Sequence, residues 1–153
     1  MKIEIGPYLD DGIHPRQVEI KIDDYDTWSM DHTLGLIALP MLKQLKKTQH
    51  GSPLVDLEDL PPELALTGDA KGEHPQTDLF ASPDHDDLVW EMLHKKWNWV
   101  LDEMIFAFEH ITSNDEDWDI GLWKADVVEW TAVGNRVQNG LRLFGKYYRG
   151  LWD

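Results

Sequence analysis

Alternating apolar and polar residues near the start of the chain predict a small antiparallel sheet. Ile3 and Ile5 alternate with polar residues, and Val18, Ile20 and Ile22 do the same further along. A period of two is typical of half-buried strands. The intervening "PYLDDGIHP" favours a turn, so the two segments predict a hairpin. Two strands alone are marginally stable, so we expect a helix to cover their Ile/Val face.

The pattern that follows the hairpin has helical spacing. Asp26 or Thr27 can cap its start, and Gly51 is placed to end it. Pro40 lies inside the pattern, which predicts either a kink near Leu36 or two abutting helices. The apolar residues at helical spacing, which we expect to be buried, are Met30, Leu34, Ile37, Met41 and Leu45.

The clearest helical pattern covers residues 87–111 and predicts the central, most buried helix of the fold. Asp86 or Asp87 can cap its start. Trp90, Trp99 and Ile105 widen its apolar face beyond a single stripe. The stripe itself consists of Val89, Leu93, Trp97, Val100, Met104, Phe108 and Ile111.

A last helix is predicted at about Asn135 to Tyr148. Gly140 and Gly145 within it each weaken helix formation by about 1 kcal/mol relative to alanine. Such a cost predicts close approach of another backbone or a ligand, or a helix interrupted at Gly145. The preceding "LWKADVVEWTAVG" fits helix or strand equally well. The residues expected to be buried are Val137, Leu141, Phe144 and Tyr148.

Residues 52–83 are rich in proline, glycine and acids and show no sustained period. They predict a long surface loop with at most a short helical turn near Leu57 to Leu60. A loop of this length is typical of a mobile or a binding element. Together the patterns predict one α+β domain over residues 1–153, in which a two-stranded antiparallel sheet packs against about three main helices.

Composition narrows the class of protein. The longest apolar run, Leu34 to Leu42, is far too short to span a membrane, and "MKIEIGPY" lacks the apolar core of a signal peptide. The chain has no cysteine, which excludes disulfides and thiolate chemistry. A net charge of −15 argues against general binding of nucleic acid or anionic membranes. The same charge fits simple solubility or a surface that imitates DNA.

No chemical motif in the chain is complete. His85 and Asp86 resemble part of a metal dyad but lack further ligands, and Glu91 with His94 lacks the second copy that a di-iron site needs. The acidic run at 115–126 has isoleucine where a calcium loop requires glycine. No nucleophile elbow or phosphate-binding glycine loop is present. We therefore expect no catalytic residues, no metal and no cofactor.

Basic residues are concentrated in two windows. Residues 42–50 contain three lysines and no acid, and residues 136–149 contain four cations and no acid, in a chain with 29 acids and 14 lysines and arginines. The helix dipole and pairing with the chain's own acids can account for both windows. Alternatively, the basic residues of the two windows face each other and form a positive pocket beside Tyr147, Tyr148 and Trp152, suited to a small phosphorylated ligand. The candidate ligand-binding residues are Lys43, Lys47, His50, Asn139, Arg142, Lys146, Tyr147 and Arg149.

The chain resembles a recurrent family of small tailed-bacteriophage proteins in three sequence segments: "DTWSMDHTLGLIALPMLKQLKKTQHG", "KWNWVLDEMIFAFE" and "NGLRLFGKYYRGLWD". The resemblance covers Lys2 to Gly6 and roughly Val18 to Leu64, Lys96 to Glu109 and Arg136 to Asp153. Many relatives carry a large insertion after "IGPY" that this chain lacks. The resemblance implies a setting, phage infection, and no catalytic residues.

Three functions are compatible with this setting. The first is a non-enzymatic accessory protein in the host cytoplasm that sequesters a small anionic, nucleotide-derived immune signal. The second is an acidic inhibitor or DNA mimic that blocks a host or defence protein. The third is a virion structural or assembly component. The expected partners are thus a small phosphorylated ligand or a host protein, with homo-oligomerisation possible and no membrane.

Overall fold

The computed structural model describes residues 1–7, 15–65, 83–113 and 127–152. A two-stranded antiparallel sheet and three main helices confirm the predicted α+β class. The chain divides into two compact units, Met1–Leu34 and Gly35–Asp153. The strands are β1 (Lys2–Ile5) and β2 (Val18–Lys21), and the helices are α1 (Met30–Thr48), α2 (Pro62–Ala65), α3 (Pro83–Thr112) and α4 (Val127–Lys146). Short 3-10 turns lie at Asp24–Thr27, Leu57–Asp59 and Tyr148–Gly150.

The hairpin of the first unit pairs Lys2 with Lys21 and Ile3 with Ile20. The pairing extends past β1, since the Gly6 amide donates to the Gln17 carbonyl at 2.8 Å. The predicted burial of the Ile/Val face is not observed. The apolar side chains that remain more than half exposed are Ile5, Val18, Ile20 and Ile22.

Helix α1 is continuous through Pro40, so the alternative of two abutting helices is wrong. Its predicted buried face is wrong for Met30, Leu34 and Met41, which are each more than half exposed, whereas Leu45 packs against the core as predicted. A different face is turned inward. Its residues are Gly35 and Leu42, which are buried, and Ala38, Leu39 and Leu45, which pack against the core.

Gly35 explains why the inward face of α1 was hard to identify. A Cβ at Gly35 would lie 2.7 Å from Thr112 Cγ2 at the end of α3, so the missing side chain is what allows the contact. Apolar residues are nearly continuous from Leu34 to Leu42. Small residues can therefore decide which face of such a helix is buried.

Helix α3 forms the centre of the second unit, as predicted. Trp97, Val100 and Met104 are fully buried, and so is Leu101, which the predicted face did not include. Burial of each large apolar side chain contributes about 1.5–3 kcal/mol before entropy is counted. Trp90 is half exposed, so the predicted width of this face is an overestimate at that end.

Helix α4 begins at Val127, eight residues earlier than predicted, and crosses α3 at Gly140. A Cβ at Gly140 would lie 2.3 Å from the Glu103 carbonyl oxygen and 2.6 Å from the Ala107 Cβ. The predicted close approach of another backbone is thus confirmed at Gly140. At Gly145 a Cβ would meet nothing within 4 Å, and α4 is not interrupted there.

The buried face of α4 differs from the predicted one. Leu143 is fully buried and Tyr147 nearly so, whereas Tyr148 is exposed. Leu141 and Phe144 lie at the edge of the core. Arg136 completes the contact with α3, because its guanidinium donates to the buried Glu103 carboxylate at 2.8–3.2 Å.

The segment after α1 is only partly the surface loop that the sequence predicted. The expected helical turn is present as the 3-10 turn Leu57–Asp59, followed by α2. Asp59 and Leu60 are buried, and Leu60 belongs to the core. Residues 66–82 of the predicted loop, and the acidic run at 114–126, lie outside the described residues.

Candidate anion-binding site

The basic residues at the end of α4 contact an acidic turn of the same chain, formed by residues 56–59. Asp59 is the centre of this contact, with a side chain only 3% exposed. Arg142 Nη1 donates to one of its carboxylate oxygens at 2.7 Å, and the Tyr147 hydroxyl donates to the other at 2.6 Å. Lys146 Nζ lies 2.7 Å from the second oxygen. Three donors from one helix end therefore satisfy one buried carboxylate.

The contact also includes Asp56 and Glu58, which precede Asp59 in the turn. Lys146 also lies 2.7 Å from the Asp56 carboxylate and 3.2 Å from that of Glu58. The Asp56 amide donates to the Tyr147 hydroxyl at 2.9 Å, so this hydroxyl both donates and accepts. Asn139 Oδ1 accepts from the Arg142 guanidinium, which holds its planar group in place.

The electrostatics of the acidic turn follow from burial and from these donors. Burial alone would raise the pKa of Asp59, but hydrogen bonds from Lys146, Tyr147 and Arg142 outweigh it and lower that pKa to about 2. The hydrogen bonds that Lys146 donates to the Asp56 and Asp59 carboxylates raise the pKa of Lys146. Burial, and then the hydrogen bond to Asp59, raise the pKa of Tyr147 to about 12. At neutral pH, Asp59 and Lys146 are therefore charged and Tyr147 is neutral.

Tyr147→Phe is expected to destabilise the protein by about 1–2 kcal/mol, because Asp59 loses a donor and the Asp56 amide loses its acceptor. Denaturant unfolding of the variant and the wild type measures this difference. Tyr148→Phe is the matched control, since Tyr148 is exposed and should change stability by less than about 0.5 kcal/mol. Equal effects of the two substitutions would contradict the arrangement.

Ionisation of Tyr147 gives the same prediction a second measurement. The folded-state pKa lies above the unfolded value, so the stability that the neutral phenol contributes is complete below pH 10 and is lost as pH rises towards 12. The stability difference between wild type and Tyr147→Phe should therefore shrink over that interval.

Two lysines of the first basic window, residues 42–50, form ion pairs with acids of α3. Lys43 Nζ lies 2.7 Å from the Glu109 carboxylate, and Lys46 pairs with Asp102. Both pairs are partly exposed, so each contributes less than about 1 kcal/mol. Lys43 and Arg142, which the sequence placed in one pocket, are thus engaged by different carboxylates on different elements.

The end of α1 and the residues after α4 lie next to each other. A Cβ at Gly51 would lie 3.3 Å from the Trp152 ring, and a Cβ at Gly150 would lie 2.9 Å from the Pro53 ring. The exposed Lys47 and His50 lie four residues and one residue before Gly51 in the chain. Two glycines therefore permit the close contact that brings residues 149–152 alongside residues 51–53.

Lys47 and Arg149 are the two members of the predicted site left available for a ligand. Both are exposed, and neither has an ion pair or hydrogen bond with any residue that the structure describes. Tyr148 and Trp152, which lie before and after Arg149 in the sequence, are each more than half exposed. Cationic side chains beside exposed aromatic rings can bind phosphate and stack on a planar base.

Polar groups continue inward from this surface. Gln49 Nε2 donates to Asn98 Oδ1 at 2.7 Å, and Ser52 Oγ lies 3.0 Å from His94 Nδ1. Gln49 Oε1 and Trp97 Nε1 are buried without a hydrogen-bond partner among the described residues. A buried group in this condition costs about 1–3 kcal/mol. Sequence reasoning missed these residues, because single polar residues on apolar helix faces give no pattern.

The metal sites weighed in the sequence find no support among the described residues, where no group of three or more His, Asp or Glu could hold an ion. His94 Nδ1 contacts Ser52 Oγ, and the ring centroids of His94 and Trp90 are 6.1 Å apart. The side chains of His85 and Asp86, and the acidic run at 115–126, fall outside that description. None of the described helices is long and apolar enough to cross a membrane.

Comparison of the chain with protein-family models, with curated proteins and with solved structures finds no match.

Proposed function

We propose that the protein is a non-enzymatic binding protein for a small anionic, nucleotide-derived ligand. In the phage setting that the resemblance implies, it acts in the host cytoplasm as a counter-defence protein that sequesters an immune signal. The observation that carries this proposal is the contact of Trp152 with Gly51, which places residues 148–152 beside the basic end of α1.

The proposed site is smaller than the pocket expected from the sequence. Arg142 and Lys146 support the acidic turn, and Lys43 supports the packing of α1 on α3. Lys47 and Arg149 supply charge, and Tyr148 and Trp152 supply flat apolar surface. Two cations with two aromatic rings fit one phosphate and one base, which favours a mononucleotide-sized group over a polymer.

A second function is favoured by the distribution of charge. At least six cations are paired with the chain's own carboxylates: Lys2, Lys43, Lys46, Arg136, Arg142 and Lys146. These internal pairs leave a large excess of acids, since the chain as a whole has a net charge of −15. Such a surface suits an inhibitor that occupies the basic face of a host protein.

Thermal unfolding with a panel of nucleotides tests the first function. The panel contains cyclic mononucleotides, cyclic dinucleotides and ADP-ribose-type compounds. A ligand at about 100 times its Kd stabilises the native state by about 2.7 kcal/mol, which raises Tm by about 5–10 °C for a chain of this size. If no compound shifts Tm and a pull-down from bacterial lysate recovers a basic host protein, the inhibitor replaces the first proposal.

The combined substitution Lys47→Glu with Arg149→Glu is expected to abolish the ligand-induced shift while changing the Tm of the free protein little. Both residues are exposed, so their own contribution to stability is small. Lys95→Glu is the matched control, since Lys95 is also exposed but lies on α3, and its ligand-induced shift should be retained. Retention of the shift in the doubly substituted protein would exclude this site.

A further inference from the structure

The backbone groups on the outer edge of β2 pair with no other strand that the structure describes. In an antiparallel pair, residues that exchange hydrogen bonds alternate with residues whose amides and carbonyls point away. The bond from the Gly6 amide to the Gln17 carbonyl, at 2.8 Å, fixes this alternation. Glu19 and Lys21 therefore face β1 with their backbone groups. Those of Val18, Ile20 and Ile22 point outward, and no other described strand pairs with them.

The apolar side chains along this edge are also exposed. Val18, Ile20 and Ile22 are 56%, 55% and 54% exposed, and they line one face of the strand. An edge with unpaired hydrogen-bonding groups and an apolar face is a template for another strand. The two-stranded sheet itself gains little stability until more strands are added.

The charges on the opposite face select the kind of strand that fits. Within the hairpin, Lys2 lies directly opposite Lys21, and Glu4 lies directly opposite Glu19. Like charges in this position are destabilising. Lys2 relieves the arrangement in part, since its Nζ lies 3.1 Å from Glu4 and 3.9 Å from Glu19. Along β2 itself, Glu19 and Lys21 are placed symmetrically about Ile20.

We infer that β2 pairs with β2 of a second copy of this chain, antiparallel and centred on Ile20. Ile20 then lies opposite Ile20 of the second copy, and Val18 lies opposite Ile22 of the second copy. Each of these pairs exchanges two backbone hydrogen bonds. Glu19 lies opposite Lys21 of the second copy on the other face. The result is a four-stranded sheet with a two-fold axis and one continuous Ile/Val face.

The charge pattern also fixes the register of this pairing. Moving the two-fold axis by one residue along β2, a relative shift of two residues between the strands, preserves the apolar face. One shift places Glu19 opposite Glu19 of the second copy, and the other places Lys21 opposite Lys21 of the second copy. Both juxtapose like charges, so the arrangement centred on Ile20 is the one that combines apolar and ionic complementarity.

Sedimentation velocity on the full chain, from micromolar to millimolar concentration, is the experiment. The wild type is expected to dimerise reversibly. Glu19→Lys and Lys21→Glu are each expected to weaken self-association at least about tenfold, because each change places like charges opposite each other at both ends of the pairing. Glu19→Lys lowers the net negative charge of the protein. Its loss of association therefore cannot come from general repulsion between copies.

Mixing the two variants gives the sharpest result. In a mixed pair every position 19 and 21 faces an opposite charge, so the two variants are expected to associate with each other more strongly than either associates with itself. The double substitution Glu19→Lys with Lys21→Glu should restore self-association. Each single change also places an opposite charge across the hairpin, against Glu4 or Lys2, so Tm should not fall.

Two outcomes would overturn the inference. One is a wild-type chain that stays monomeric over the whole concentration range. The other is a dimer that neither single substitution weakens, which would place the contact between copies elsewhere.

Discussion

Gly140→Ala should destabilise the protein by about 2–3 kcal/mol, although alanine is the better helix former. The added Cβ would lie 2.3 Å from the Glu103 carbonyl oxygen and 2.6 Å from the Ala107 Cβ. One neighbour is backbone and the other is a rigid short side chain, so α3 and α4 must move apart. Overpacking of this kind costs about 1–3 kcal/mol and often more at a backbone contact. That exceeds the gain of about 1 kcal/mol from helix propensity.

Gly134→Ala and Gly145→Ala are the matched controls for this prediction. Both glycines lie in α4, and an added Cβ at either would meet nothing within 4 Å. Helix propensity then acts alone, and each change should stabilise the protein by up to about 1 kcal/mol. Denaturant unfolding of the three variants should give one loss and two gains. If all three were stabilising, the close crossing of α3 and α4 would be wrong.

Asp59→Ala is expected to cost about 2–3 kcal/mol. It removes the shared acceptor of Arg142, Lys146 and Tyr147, and it leaves a cavity where the carboxylate was buried. Breaking a fully buried pair costs about 3–5 kcal/mol, and the partial exposure of Arg142 and Lys146 reduces this figure. Glu58→Gln is the control, since Glu58 is 80% exposed and its pair with Lys146 should contribute less than about 0.5 kcal/mol.

The pH dependence of Asp59 distinguishes its charge from its volume. Its folded-state pKa of about 2 lies below the ordinary aspartate pKa of 3.8, so the stability it contributes is complete above pH 4 and is lost as pH falls towards 2. Asp59→Asn keeps the shape but cannot ionise. Its stability deficit relative to the wild type should therefore shrink as pH falls from 4 to 2. A deficit that does not change over this interval would contradict the ionic role.

The fold class and the central helix could be predicted because their signals are local. The apolar face of α3 is broad enough that its phase is unambiguous, and Trp97, Val100 and Met104 are buried as expected. Helix α1 has apolar residues on most sides, so its period does not identify the buried face. In α1 and α4 the faces are chosen by Gly35 and Gly140, where small size permits a close crossing. Hydrophobicity patterns do not report that property.

The candidate site was predicted in composition but not in contacts. The two windows without acids identified Lys47, Arg142 and Arg149 from the sequence. The carboxylate that engages Arg142 belongs to Asp59, 83 residues earlier, in a segment with no sustained period. A pairing between such distant positions leaves no local trace. For this reason the sequence left open whether the basic residues bind a ligand or the chain's own acids.

The acidic turn at residues 56–59 also bears on how the chain folds during synthesis. Its hydrogen bonds to the end of α4 join residues 83–91 positions apart. The turn is made early on the ribosome, yet its donors emerge only when α4 is nearly complete. Until then Asp59 lacks the donors that satisfy it in the folded protein. Formation of this contact must therefore wait for the synthesis of Tyr147, whatever order the earlier helices follow.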